Sequence, residues 1–546
     1  MSALLTVLSV FIPSAGEKIN DYKFTVDASE TGAVLANPAS NVNVWSIEGN
    51  PFVGAKASEE YNIFDFVNYV QLMQCTGGSV ARDLFKDPLD RTVLDDYDFT
   101  KLIENCRGVL GLGAKPMLKL GSVPLKYSSG STSENYFETN IYPPDDYDVY
   151  YNYIRAITEA LVAEFGKEEV LSWRFGVMTE YENSAWFIVP SGDPEETAVE
   201  YCKLYDYTVA ALTDVLGDGV FVGAHSMTVT EGLWDEKIFI NHVANGTNYK
   251  TGEKGTRICY LSASFYDACP GEFTSGYNLP ETIAYLRKCA DKAGLENLIF
   301  GIDEGRILEG NARGADDSQL LSRTVGYTYQ AAYDARLYAQ MFNNNINYFS
   351  SWGFLSNGLL DGNPTVAYHV ASNAAKFDGA KLAKTEKESG GYILKAEVDA
   401  VSAYDAENET LRIMAYNFKN DVDYDKTADL EFSVTAPQFT SDKVKVTAYV
   451  VDDDCNYFDE WVEDRKTYNI GDDCFGWSPD DPQIDGITTL KDSAAREIYF
   501  SELYEKYSEC SKLEPVTYEA QVVDGEIVLD ITLDANAVVF FEITEA

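Results

Sequence analysis

Only three histidines occur in this chain of 546 residues, His225, His242 and His369. None has a ligand partner at helical spacing, which argues against a zinc hydrolase. The nine cysteines are scattered without a CxxC pair, so they indicate neither a metal site nor a disulfide framework. Cys455 and Cys474 are one candidate pair, and most of the others read as small buried apolar residues. No GxSxG is present to form a serine nucleophile elbow. No GxGxxG follows the first strand, and the glycine-rich GVLGLGAKP at residues 108–116 precedes a strand rather than a helix, so it reads as a turn. Long apolar runs are also missing. The segment Leu4–Pro13, followed by Ser14-Ala15-Gly16, has the length of a signal-peptide core but no Lys or Arg before it, and a first β-strand is the alternative reading. Nothing else approaches the ~18 apolar residues of a membrane span.

Positive charge is scarce as well. There are 42 basic against 88 acidic residues, a net charge of −46. Such a surface repels phosphate backbones and anionic lipids, so neither nucleic acid nor membrane is expected as a partner, and a neutral polymer is a better substrate than an anionic one. The acidity then serves solubility. A hydrophobic fraction of 45% excludes global disorder. The aromatic fraction is 13%, with 37 Tyr and 7 Trp. Flat rings suit carbohydrate, although most of these must be core.

The length fits a barrel of ~250 residues plus one or two β domains. After an N-terminal segment at residues 1–40, with short strands such as KFTVDA joining a later β domain, strand and helix patterns alternate. Strands are expected at Val42–Ile47, Ser79–Leu84, Pro116–Leu120, Trp173–Val177, Val220–Ala224, Arg257–Phe265, Leu298–Ile302 and Ile346–Phe354. Between them lie helical patterns, including Ile63–Met73, Phe99–Leu110, Asp146–Phe165 and Ser318–Phe342. Eight strand–helix repeats imply a closed parallel (β/α)8 TIM barrel over residues 41–374, with its site at the C-terminal ends of the strands; a doubly wound open sheet is the alternative. Beyond residue 375 short alternating runs such as TLRIMAYNF and KVKVTAYVV indicate an accessory β-sandwich, residues 375–546, interrupted at about 452–513 by an acidic insertion. The Asp452-Asp453-Asp454 and Asp480-Asp481 clusters do not fit EF-hand spacing and read as solvated loop. No cofactor or metal is expected.

Two strands end in acids. WRFGV, Trp173–Val177, runs into Met178-Thr179-Glu180-Tyr181-Glu182-Asn183, and LIFGI, Leu298–Ile302, runs into Asp303-Glu304-Gly305-Arg306. Two carboxylates at the tops of two buried parallel strands suggest the paired acids of a glycosidase. Glycoside cleavage needs one carboxyl protonated near neutral pH and one ionised, so their environments must differ. Glu180 is assigned as acid/base, because Trp173, Phe175, Tyr181 and Trp186 would partly desolvate it. Glu182 competes, since alternation puts 180 and 182 on one side of a strand. Glu304 is assigned as nucleophile against Asp303, with Arg306 or Arg82 near enough to favour its charged form. Arg82, Asp83, His225, Tyr266 and Trp352 stand at the ends of other expected strands as candidate sugar contacts.

These stretches carry a family likeness. WRFGVMTEYEN resembles the acid/base strand of glycoside hydrolase family 39 in clan A, the β-xylosidase and α-L-iduronidase type, where Trp-Arg-Phe leads to an Asn-Glu pair. KPMLKLGSVPLKYSSG, residues 115–130, resembles that family's third strand, and LIFGIDEG its nucleophile strand. VDDDCNYFDEWVEDR, residues 451–465, is similar to its Asp-x-x-Ser-Asn-x-x-x-x-Trp stretch, through Asn456 and Trp461. The resemblance implies retaining hydrolysis of a carbohydrate in a plant or microbial glycan, with Glu180 and Glu304 in the roles above. It is also what favours Glu304 over Asp303. The expected location is secreted from or on the surface of a bacterium, a cytoplasmic location being the alternative. Thr179 stands where the family has the Asn that binds the sugar 2-hydroxyl, and Asp83 where a His often follows the second-strand Arg. Those departures keep open a family member acting on another sugar, a clan A endo-glycanase, and a catalytically silent glycan-binding barrel. Oligomeric state is not legible.

Overall fold

The computed structural model describes residues 21–48, 61–131, 137–229, 234–269, 278–310, 328–351, 359–360, 362–389, 396–421, 424–474, 490 and 492–546. The apolar run Leu4–Pro13, the Asp480-Asp481 cluster, the first part of the expected helix at 318–342, and Trp352 lie outside the described residues.

After β1 (Asp21–Val34), eight strands close a parallel barrel: β2 (Asn41–Val44), β3 (Tyr69–Leu72), β4 (Lys115–Leu120), β5 (Arg174–Thr179), β6 (Phe221–Met227), β7 (Tyr260–Cys269), β8 (Ile299–Gly310) and β9 (Tyr348–Ser351). The last pairs with the first through Val42 and Ser351. Helices on the outside have legible caps. Asp146 caps Tyr147–Phe165, Asp193 with Pro194 opens Pro194–Leu216, and Asn278 with Glu281 forms a reciprocal capping box at the start of Leu279–Ala293.

The interior shows why glycines recur in the strands. A Cβ on Gly176 would meet His225 Nδ1 at 1.8 Å, one on Gly223 the Tyr260 ring, and one on Gly301 the Tyr348 ring. Each glycine on one strand thus admits a large ring from the next, which is how the layers of a narrow barrel fill. At the N-terminal end Arg174 lays its guanidinium 3.9 Å from the Tyr69 ring centre.

One expected strand was misplaced. Ile63–Met73 has a helical spacing of apolar residues, yet it holds only a single 3-10 turn, Ile63–Asp65, followed by β3. A strand buried on both faces shows no alternation, so Tyr69–Leu72 carried no strand signal against the helical spacing of Ile63, Phe64, Val67 and Val70. Ser79–Leu84 is instead a loop, entered through Gly77 and Gly78 at φ 121° and 101°.

The remaining strands follow a small hairpin, β10 (Leu359–Leu360) with β11 (Asn363–Pro364). They are β12 (Lys381–Ser389), β13 (Glu397–Asp405), β14 (Thr410–Phe418), β15 (Ala428–Thr435), β16 (Lys443–Val451), β17 (Val516–Gln521), β18 (Glu526–Leu533) and β19 (Val538–Glu545). They form one nine-stranded sheet, in which β1 lies between β12 and β15. The sheet folds over its own core: Phe24 of β1 stacks on Phe432 of β15, which meets Phe541 of β19 edge-on at 5.9 Å. The other face packs on the barrel, where Phe418 lies against Tyr329 and Tyr333 of helix Tyr329–Asn344, and Arg336 pairs with Glu397 at 2.6 Å. Asn456 donates to Thr328 Oγ1 at 3.2 Å and Trp461 is fully buried beside Tyr499 and Tyr507, so the stretch at 451–465 clamps the sheet to the barrel. Cys455 and Cys474 are free thiols, not the disulfide their positions suggested.

Candidate active site

The end of β5 is not a regular strand. Its ladder with β6 slips between Val177 and Thr179, and Met178 and Glu180 both have left-handed backbone, at φ 62° and 42°. Side chains rarely hold that conformation without support. Here the support is local. The Glu180 N–H donates to the Ser226 carbonyl at 2.9 Å, and the Glu180 carbonyl accepts from Asn183 N–H at 2.7 Å. The neighbouring Gly121 has φ 108°, and a Cβ on it would meet Met178 N at 2.8 Å. The bulge breaks the alternation that left Glu180 and Glu182 on one side, and it sends them to different surroundings.

Glu180 retains some exposure, and one carboxyl oxygen accepts from Asn183 Nδ2 at 3.2 Å. Its low solvation pushes the carboxyl up to about 7; the charge of Glu304 adds to the rise, and Asn183 and Lys119 oppose it. The two carboxyls therefore feel one another. Glu182 has no exposed surface, accepts weakly from Thr228 N–H at 3.5 Å, and is held well above the carboxylate range by burial and by Glu236. It faces a second buried acid instead of Glu304.

On β8 the two adjacent acids also part company. Asp303 is sealed in the barrel, where it accepts from Tyr348 Oη at 2.6 Å, from the Ser262 hydroxyl, and from Ser226 N–H at 3.3 Å. Glu304 takes one hydrogen bond on Oε1, from Tyr266 Oη at 2.8 Å, while Oε2 has no hydrogen-bond partner among the described residues.

The cation next to Glu304 is Lys119 of β4, 3.9 Å from Oε2 and 1% exposed. Its ammonium also donates to Thr179 Oγ1 at 3.2 Å and approaches Ser226 Oγ at 3.5 Å. The expectation that Arg82 or Arg306 fills this place is overturned. Arg306 is buried in a two-bond pair with Asp334, at 2.8 and 2.7 Å, and Arg82 pairs with Glu48 at 3.2 Å and donates to the Glu138 carbonyl. Lys119 was missed, although a single charged residue inside the apolar run PMLKL was a usable signal.

Of the expected sugar contacts, Thr179 and Tyr266 stand with the two glutamates and Lys119. His225 lies beneath them, fully buried, with Nδ1 3.0 Å from Tyr260 Oη and Nε2 3.2 Å from Asp303. Burial drives it well below its usual range, so it is neutral. Asp83 accepts from Gly78 N–H at 2.7 Å and Leu125 N–H at 2.9 Å, which staples the loop after β3 to the loop after β4. Arg82 ties the same loop to the one after β2.

Residues 85–469 match the family described as Glycosyl hydrolases family 39. Among curated proteins, a β-xylosidase of Geobacillus stearothermophilus is 29% identical over 119 residues, 22% of either chain. An α-1,4-L-rhamnosidase of Formosa agariphila is 24% identical over 350 residues, 60% of this chain and 62% of the relative. The chain thus aligns with less than two thirds of the length of these relatives. Among solved structures, the monomeric β-xylosidase of Caulobacter crescentus superposes with a TM-score of 0.63 at 15% identity, covering 96% of this chain and 99% of that one. The bacterial orthologue of human α-L-iduronidase gives 0.64 at 13%, covering 96% and 84%. At such low identities these superpositions establish a shared fold alone. With the family match running from the loop after β3 to the helix that carries Trp461, this chain belongs to glycosyl hydrolases family 39.

Proposed function

We propose that the protein is a retaining glycosidase with Glu304 as nucleophile and Glu180 as acid/base. The observation that carries this reading is the difference between two carboxyls that sense each other. Glu180, raised to about 7, is available as a proton donor near neutrality, and Glu304 offers an oxygen without a hydrogen bond beside a cation. In the first step Glu304 Oε2 attacks the anomeric carbon as Glu180 protonates the departing oxygen, which leaves a glycosyl ester and an ionised Glu180. In the second, Glu180 takes a proton from water, whose oxygen displaces Glu304. Thr179 and Tyr266 are read as the groups within reach of the sugar ring, with Arg82, Asp83 and His225 shaping the pocket around them and Trp352 a further contact.

β-Xylosides are the first substrate class to test, since curated relatives carry that name. Thr179 gives a specific reason for a second class. Its hydroxyl, which accepts from Lys119, has one O–H donor on a short side chain where an amide has two N–H donors and a carbonyl, so it is a poorer match for the sugar 2-position, and the rhamnosidase relative aligns over more of the chain than the xylosidases do. The test is hydrolysis of 4-nitrophenyl β-D-xylopyranoside and α-L-rhamnopyranoside within an aryl-glycoside panel, with the first-formed anomer read by proton NMR. Retention is expected on at least one substrate, with a loss on the order of a thousandfold or more in Glu304→Ala. Inversion, or sugar binding without turnover of any glycoside, would overturn the reading.

A further inference from the structure

Lys119 is a strange occupant for a barrel interior. Its ammonium is 1% exposed and touches Thr179 Oγ1, Ser226 Oγ and, at 3.2 Å, the weak acceptor Met73 Sδ. Three uncharged neighbours do not replace the water an ammonium loses on burial. What compensates is charge. Burial lowers the lysine pKa, and Glu304, then Asp303, then Glu180 act to raise it. Glu304, the largest of these influences, and Glu180 are the carboxyls that the proposed reaction uses; Asp303, between them in rank, keeps its surroundings throughout.

Those carboxyls exchange charge during a double displacement. In the free enzyme Glu304 is ionised and Glu180 holds a proton. In the glycosyl-enzyme Glu304 is a neutral ester and Glu180 is ionised. A cation 3.9 Å from Glu304 and bonded to Thr179, the residue next to Glu180, meets one negative charge from this pair in either state, so it is not left unopposed when the proton leaves. Resting on the retaining-glycosidase reading, we propose that Lys119 is the positioning residue of this reaction, an ammonium shared by the two carboxyls that faces Glu304 before glycosylation and Glu180 after it. Thr179 and Ser226, on β5 and β6, hold the ammonium in place without competing for its charge. The other titratable groups around this cluster are Asp303 on β8, held by Tyr348, Ser262 and Ser226; neutral His225 on β6; Cys75 in the loop after β3, whose thiol burial pushes up to about 12; and Tyr266, which is bonded to Glu304. Lys119 supplies the only positive charge among these groups.

The experiment compares pH profiles of kcat/KM and kcat, on 4-nitrophenyl β-D-xylopyranoside or whichever aryl glycoside wild type turns over, for wild type, Lys119→Met, Lys119→Gln and Lys119→Arg. Two neutral replacements are included so that at least one folded variant is available, which a melting curve checks. Removing a cation about 4 Å from a carboxylate raises that carboxyl by roughly one to three units. In the neutral variants the acidic limb should therefore move up by about one unit or more and the basic limb should move the same way, with kcat at pH 6 down roughly tenfold or more and KM within about threefold. Lys119→Arg should keep the acidic limb near that of wild type. Neutral variants whose limbs coincide with wild type, or whose loss lies wholly in KM, would overturn the role. Glu304→Ala separates the two claims: if it stays active the glycosidase assignment fails, and if it is dead while the Lys119 variants keep their limbs, only the shared-ammonium role fails.

Discussion

Tyr266 donates its hydroxyl to Glu304 Oε1 at 2.8 Å, while Oε2 of the same carboxylate stays without a hydrogen bond among the described residues. The arrangement fixes the carboxylate by one oxygen and leaves the other without a hydrogen bond, as the proposed nucleophile role requires. A hydrogen bond to a charged group contributes about 1.5–3 kcal/mol, so Tyr266→Phe should lower kcat roughly 10- to 100-fold with little change in KM. It should also raise the acidic limb of the profile, because the lost bond favoured the ionised form. Steady-state kinetics across pH checks both, and a loss confined to KM would make Tyr266 a ground-state sugar contact instead.

Glu180 must be protonated to act as an acid, and its carboxyl is pushed up to about 7. Wild-type kcat/KM should therefore fall as pH rises above about 7. In Glu180→Ala that limb should vanish. Substrates with poor leaving groups should lose roughly 10²–10⁴ in rate, and dinitrophenyl glycosides, which need little protonation, should lose far less in the glycosylation step. Azide should restore turnover by taking the place of the activated water. Failure of azide rescue would direct attention to Glu182.

Several buried or half-buried acids outside the reaction have raised pKa values: Glu182 well above its usual range, Glu236 and Asp83 at about 7, and the half-buried Asp452 at about 6. Burial is the leading cause in each case. A carboxyl that holds its proton more tightly when folded binds more protons in the native state, so stability falls as pH rises from the unfolded value near 4 to the folded value near 7. Self-repulsion at a net charge of −46 acts in the same direction. The melting temperature should be higher at pH 5.5 than at pH 7.5, by roughly 3 °C or more. Calorimetry at the two pH values tests this, and the reverse order would contradict it.

The Arg306–Asp334 pair is buried on both sides, at 1% and 5% side-chain exposure. Arg306→Met alone strands an acid and should cost about 3–5 kcal/mol, whereas Arg306→Met with Asp334→Leu should recover much of that loss. Denaturant unfolding of the single and double variants would measure it. A double variant as unstable as the single one would mean that shape, not charge, dominates there.

Much of this architecture is written locally. Trp173–Val177 and Leu298–Ile302 are apolar runs too short for helices and end abruptly in acids, so their place at the barrel mouth follows from burial alone. Asp193-Pro194 and Asn278-x-x-Glu281 mark helix starts by backbone chemistry that needs no tertiary context. β3 was misread because Ile63, Phe64, Val67 and Val70 fall on one helical face, while β3 itself is buried and carries no alternation to mark it; pairing with β2 and β4 decided it. The separation of Glu180 from Glu182 depends on positive φ at Met178 and Glu180, which the ladder to β6 and the close approach of Gly121 impose from outside the segment. Arg306 looked like a partner for Glu304 because it is two residues away; Asp334, on a helix after β8, takes it. Lys119 comes from β4, far from both acids in the chain, and only barrel closure brings the three together.

The central claim is that Glu304 forms the covalent intermediate while Glu180 manages the proton. Reaction of the protein with a dinitrophenyl 2-deoxy-2-fluoro glycoside of the sugar it hydrolyses, followed by digestion and mass spectrometry, reads the nucleophile directly. The account predicts one sugar per chain, esterified to Glu304, accumulating in wild type and absent in Glu304→Ala. A label on Asp303 or Glu182, or fluoride-substrate turnover with no trapped sugar and inverted product, would contradict it.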